Sequence, residues 1–263
     1  MNQITSTLHI PDTQSERDTR HLLIQRVGVK DVRYPLQLQI GGRVEPAVGL
    51  WSLDVLLPAE KKGTHMSRFV AWLDELREPL DGATLLRLHA LMLQRLEAQD
   101  GRIEVRFTFF IRKRAPVSGI ESLLDYQGAF ICETRSGHTQ LWLEVAAPVK
   151  SLCPCSKEIS DYGAHNQRSL VTIRVAPKDE QLSLIDLVRV AEASASSEIW
   201  PLLKRSDEKW ITERAYENPK FVEDLVRDVA LRLNADARVG AYVAEVENFE
   251  SIHNHSAYAR IER

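Results

Sequence analysis

Cysteine is scarce in this sequence, with three residues in 263. So few thiols exclude a closed zinc site of four cysteines in two pairs and suit a reducing compartment. An excess of one charge is also lacking. There are 34 Lys and Arg against 37 Asp and Glu, a formal net charge of −3. That argues against a broad nucleic-acid-binding surface and leaves room for a local basic pocket. No apolar run approaches the length of a membrane span. Residues 1 to 20 are polar and lack an apolar core segment, so they read as a flexible leader and not as a secretory signal. The expectation is a cytoplasmic protein with no nucleic-acid and no membrane partner. Hydrophobic content is 44%, ordinary for a globular chain, and the length suits one large domain or two small ones.

The periodicities alternate between strand and helix. Leu22 to Val32 and Tyr34 to Ile40 are mixed apolar segments, and Gly41-Gly42 reads as a turn before a strand over Glu45 to Leu57. A polar loop, Lys61-Lys62-Gly63-Thr64-His65-Met66-Ser67-Arg68, leads to a helix that Ser67 would cap. Phe69, Val70, Leu73 and Leu76 fall on its apolar face. Leu85, Leu88, Met92 and Leu96 mark a second helix. Ile103, Val105, Phe107, Phe109 and Ile111 alternate with polar residues, the clearest strand in the chain. Another strand covers Asp125 to Thr134, and Gly137 marks a turn.

The order then repeats. Strands over Gln140 to Val149 and Leu170 to Val175 flank a polar loop. Ser183-x-x-Asp186 resembles a capping box for a long helical region. A polar stretch follows over Lys204 to Lys209. Asn218-Pro219 reads as N-cap and first position of another helix, with Phe221, Leu225 and Val229 on its buried face. Val239 to Phe249 and Ser256 to Ile261 read as closing strands. Both halves therefore read β-β-α-α-β-β, an α+β chain of antiparallel sheets. The expected modules are residues 21–138 and 139–263, the second carrying most of the site.

The chemistry concentrates in Ser151 to Ser169. That loop holds Cys153, Pro154, Cys155, Lys157, His165 and Arg168. Thiolate and imidazole suit a borderline-soft ion such as zinc, and any metal here must recruit further carboxylate or histidine. Other readings stand beside this one. The two thiols could simply be half-buried, or Cys153 and His165 could form a nucleophile–base pair. A disulfide across Pro154 would be a strained ring. Glu250 to His255 joins the last two strands and carries Glu250 and His253, which can converge on one ion or sit on a solvated hairpin. Glu208 lies in a charge run that reads as solvated surface. Glu223 sits in a first helical turn, where an acid complements the helix dipole.

S-L-C-P-C-S-K-E-I-S-x-Y-G-A-H-N-Q-R-S, with K-G-T-H-M-S-R-F upstream and E-N-F-E-S-I-H-N-H downstream, resembles the bacterial type IB GTP cyclohydrolases over about Gln25 to Arg260. The resemblance implies the tunnelling fold (T-fold), two tandem ββααββ modules that assemble as a homotetramer around a central tunnel, with active sites at subunit interfaces. It implies conversion of GTP and water to 7,8-dihydroneopterin triphosphate and formate, the first step of tetrahydrofolate biosynthesis, by a hydrolase acting on cyclic amidine C–N bonds. By similarity Cys153 and His165 are metal-site and catalytic residues. Glu208, Glu250 and His253 match the remaining metal-site and catalytic positions. Glu223 matches the anchor of the guanine base, and Cys155 lines the pocket. The implied ion is zinc, with manganese or iron also compatible with mixed Cys/His/Glu ligands. Lys61, Lys62, His65, Arg68, Lys157, Arg168, Lys204 and Arg214 are candidates for the triphosphate. The rival readings are a nitrile reductase of the same fold, an archaeal-type cyclohydrolase yielding a cyclic phosphate, and a metal-binding scaffold without activity.

Overall fold

A computed structural model describes residues 12–263. Residues 1–11 of the expected leader lie outside the described residues. Gln14 to Asp18 are held by backbone hydrogen bonds to the segment Glu60 to Gly63.

Strands β1 (Ile24–Ile40) and β2 (Arg43–Leu57) form a long hairpin. Gly41 and Gly42 both have positive φ, 57° and 76°, the backbone that a two-residue hairpin turn demands. The two segments read on either side of residue 33 are one strand. Asp31, at φ 58°, sits at a register shift and bends the strand without ending it. Helices α1 (Met66–Asp74) and α2 (Gly82–Arg95) follow, then β3 (Gly101–Arg114), β4 (Glu121–Arg135) and β5 (His138–Leu152). The second half continues with α3 (Pro154–Ile159), β6 (Asn166–Pro177), α4 (Leu184–Ser194), α5 (Arg205–Glu217), α6 (Val222–Ala235), β7 (Val239–Phe249) and β8 (Ser256–Glu262).

All eight strands make one antiparallel sheet in chain order, β1 to β8. The sheet runs unbroken through the β4–β5 pair, across a turn made by Ser136 and Gly137. One face packs on the helices. Trp51, Leu53, Ile103, Val105, Val145, Val149, Val171, Ile173 and Val246 are buried there against Phe69, Leu85, Met92, Leu187, Leu225 and Leu233. Each such side chain contributes about 1.5–3 kcal/mol of transfer free energy, so this layer dominates stability. The opposite face carries charged pairs beside exposed apolar residues such as Val48 and Phe110. Arg26 pairs with Asp54, Arg102 and Arg106 with Glu104, Arg174 with Glu144, and Arg260 with Glu245. Among the described residues no helix is long and apolar enough to cross a membrane.

Two local expectations, on Ser67 and Asn218, are corrected, and one polar run gains an element. Ser67 does not cap α1; the helix starts at Met66 and His65 is the N-cap. The polar run over Lys204 to Lys209 is the start of α5, which has few buried side chains and so shows no broad apolar stripe. Asn218 ends α5 instead of capping α6. The α6 N-cap is Phe221, whose N–H is taken by Asp224 at 3.0 Å. Ser183 does cap α4 through a reciprocal box with Asp186.

Candidate functional site

Strand β5 ends at Leu152, and Cys153 is the N-cap of α3, with Pro154 at the first helical position. Gly163, at φ 111°, turns the chain back. The N–H of Cys153 then donates to the carbonyl of His165 at 3.2 Å, and the N–H of His165 donates to Ser156 Oγ at 3.2 Å. The loop thus closes on itself and sets the thiol-bearing and imidazole-bearing backbones side by side. Cys153 and His165 are half-buried, while Cys155 is exposed.

Across β6 and β7 the polar contacts continue. His165 Nδ1 lies 3.1 Å from Gln167 Oε1 and 3.3 Å from Ser251 Oγ, and Gln167 Nε2 donates to Glu250 Oε1 at 3.5 Å. Beneath them runs a buried layer. The hydroxyls of Ser151 and Ser169 are 2.8 Å apart, and Ser169 donates to Asn248 Oδ1 at 2.6 Å. The structure therefore places Cys153, His165 and Glu250 at one edge of the sheet. His253 lies beyond Ser251 in the exposed hairpin, stacked on His255 with centroids 5.1 Å apart. Among the described residues no three His, Cys, Asp or Glu side chains gather around one point.

The helices bring the other acids to the same edge. Lys220 N–H donates to the carbonyl of Leu152 at 3.0 Å, which ties the approach to α6 beside Cys153. Glu223 is exposed in the first turn of that helix. Glu208 is exposed in the first turn of α5. Its neighbour Asp207 is fully buried and accepts from the amides of Val117, Ser118 and Lys204 and from the Ser118 hydroxyl. Burial pushes the Asp207 carboxyl up, but these hydrogen bonds outweigh it and hold the group well below the usual carboxylate range. Asp207 thus pins α5, and Glu208 with it, to the β3–β4 turn.

The basic candidates divide. Lys157 Nζ donates to the carbonyl of Tyr216 at 2.5 Å and sits over its ring, and Arg214 pairs with Glu198 at 3.2 Å. Arg168 is exposed on β6 opposite Lys150, a residue that sequence reasoning missed; burial holds the Lys150 ammonium below its ordinary value. Lys204 is exposed beside Asp207. Lys61, Lys62, His65 and Arg68 are elsewhere. They follow the far end of β2, which registers through Gly101 and Thr134 to Thr139 at the start of β5. Thr139 and Leu152 are about 40 Å apart along β5 at about 3.3 Å per residue. One chain therefore does not bring the K-G-T-H-M-S-R-F loop to Cys153. Two surface cavities of about 770 and 570 Å³ contain none of the candidate residues. Gln167 and Ser251 were also missed; the only signal was that both lie inside the two motifs.

A sequence model described as "Type I GTP cyclohydrolase folE2" matches residues 10–259. The chain belongs to this family. A protein named GTP cyclohydrolase FolE2 from Methylibium petroleiphilum is 67% identical, covering 98% of this chain and 97% of that protein. One of the same name from Paraburkholderia xenovorans is 62% identical over 100% and 98%. Among solved structures, uricase from Arthrobacter globiformis superposes with a TM-score of 0.50 at 10% identity, over 91% of this chain and 93% of that one. Urate oxidase from Bacillus sp. TB-90 gives 0.52 at 7%, over 91% and 99%. At such identities these two show the fold alone. The folE2 relatives share nearly the whole length of this chain.

Proposed function

We propose that this chain is a metal-dependent GTP cyclohydrolase that converts GTP and water to 7,8-dihydroneopterin triphosphate and formate in folate biosynthesis. The observation that carries the reading is the family match over residues 10–259, with Cys153 and His165 tied by their backbones at the sheet edge. The donor chemistry fits a divalent ion. Thiolate, imidazole and carboxylate together suit zinc and admit manganese or iron. Cys153 and His165 would hold it, with Glu208, Glu250 and His253 supplying the remaining ligand and catalytic positions. When bound, the ion supplies Lewis acidity that makes hydroxide available near neutral pH.

The chain's own residues do the rest. Carbon 8 of guanine is attacked twice by water and leaves as formate. His253 carries protons to and from the opening ring, a task suited to an imidazole. Glu223 accepts from guanine N1–H and N2–H, a pairing that adenine does not offer. Cys155 lines the pocket. Lys157, Arg168 and Arg214 stand on the same edge for the triphosphate.

Lys61, His65 and Arg68 reach the site from a neighbouring subunit in this reading. Their separation from Cys153 within one chain supports it. Such an assembly would be a homotetramer of the tunnelling fold, with two modules per chain and the sheet face opposite the helices lining the tunnel. Mass spectrometry of the product from GTP tests the reaction: the linear triphosphate is expected. A cyclic phosphate would favour the archaeal-type reaction, and NADPH consumption with a deazaguanine nitrile would favour the reductase.

A further inference from the structure

We propose that Gln167 is a positioning residue that fixes the tautomer of His165. Gln167 is buried, with 8% of its surface exposed, and lies between a carboxylate and an imidazole. On one side is the Glu250 carboxylate, which only accepts, 3.5 Å from Nε2. On the other is His165 Nδ1, 3.1 Å from Oε1. The carboxylate sets the amide, because a flipped amide would point its oxygen at a carboxylate oxygen. With the amide so set, Oε1 faces the imidazole, and Oε1 can only accept. The Nδ1 atom therefore carries the proton, and Nε2 keeps its lone pair.

Ser251 does not compete with this order. Its hydroxyl, 3.3 Å from Nδ1, can accept from the same N–H or turn elsewhere. Gln167 is itself held, since its strand neighbour Ser169 is locked by the buried Ser151–Ser169–Asn248 layer. The consequence rests on the metal-site reading above: an imidazole whose Nδ1–H is occupied by a protein acceptor presents Nε2 to an ion in the right form and orientation, and loss of such a partner weakens metal binding by about 10–100-fold.

The tautomer is readable without any metal. In metal-free protein with ¹⁵N-labelled histidine, at a pH where the imidazole is neutral, His165 should show a protonated Nδ1 and a bare Nε2. Its signals are assigned by their absence in His165→Asn. In Gln167→Leu the remaining partner is Ser251, which can donate to Nδ1, so the proton should shift toward Nε2 and zinc affinity should fall about 10–100-fold. If the Leu variant does not fold, Gln167→Ala removes the same acceptor with less bulk and should show the same shift toward Nε2–H and the same fall in zinc affinity. An Nε2–H tautomer in the wild type would overturn the proposal. So would a Gln167→Leu protein with unchanged tautomer and zinc affinity. If the wild type shows the expected tautomer and binds no zinc, the positioning role stands and the metal-site reading falls.

Discussion

The main-chain N–H of Cys153 donates to the main-chain carbonyl of His165 at 3.2 Å. This bond extends the β5–β6 ladder one step past the Leu152–Asn166 pair, so both reactive side chains hang from the rigid end of a sheet and not from a free loop.

Because the tie is made by backbone atoms, the thiol can be removed without undoing it. Cys153→Ala should fold and melt like the metal-free wild type, yet lose metal affinity and GTP turnover together. A group behind a ligand is worth about 10–100-fold in affinity, so a ligand itself should cost at least about a hundredfold. Metal content after gel filtration, read beside turnover, checks this. Full turnover with bound metal would remove Cys153 from the site.

Glu223 separates a helix role from a substrate role. In the first turn of α6 its dipole contribution is about 0.3–1 kcal/mol. As guanine anchor it accepts two hydrogen bonds, each about 1.5–3 kcal/mol to a charged group. Glu223→Gln should therefore leave melting near native and metal bound, while turnover of GTP falls at least about a hundredfold. Inosine triphosphate, without the N2 amino group, should lose less on the same change. Normal GTP turnover in the variant would leave only the helix role.

Asp207 gives a pH-dependent signature. Its folded carboxyl titrates well below the ordinary value of 3.8. A depressed folded value contributes stability that is fully present above the unfolded pKa and is lost as pH falls through the folded one. Asp207→Asn should thus be less stable than wild type at neutral pH, and the gap should narrow as pH drops below about 4. Denaturant unfolding across that range measures it, and a gap independent of pH would contradict the account. Because Asp207 anchors the start of α5, the variant should also weaken whatever Glu208 does in turnover.

The three thiols should behave differently. Cys132 is buried on β4, and burial pushes its thiol up to about 12. It should stay unmodified by a thiol reagent in native protein at neutral pH, while Cys155 and, more slowly, half-buried Cys153 react. Bound divalent metal should protect Cys153 and leave Cys155 reactive. Peptide mapping of the labelled sites reads this directly. Equal labelling of Cys153 with and without metal would count against its role as ligand.

What could be read from the sequence followed from which signals are local. The alternation of Ile103 to Ile111 announced β3 because one face of that strand meets the helices and the other does not. The reciprocal box of Ser183 and Asp186 announced α4 because both partners lie within one turn. Helix α5 was not legible: it buries little beyond Asp207, Ile211 and Ala215, and a helix lying on the surface keeps a polar, loop-like composition. At Asn218 a local pattern misled. Its side chain donates to the carbonyls of Ala195 and Ser196 and caps nothing. The site divides in the same way. Cys153 and His165 lie close in sequence, within one loop, whereas the Gln167–Glu250 contact and the anchoring of Asp207 to Ser118 cross between strands and helices and carry no spacing signal.

The most direct measurement is formate release from GTP by purified protein stripped of metal and refilled with zinc, manganese or iron in turn. The account predicts no release from the stripped protein, restoration by at least one of these ions, and one formate for each 7,8-dihydroneopterin triphosphate formed. Undiminished release from the stripped protein would contradict the metal-dependent mechanism, and no release under any metal would contradict the activity itself.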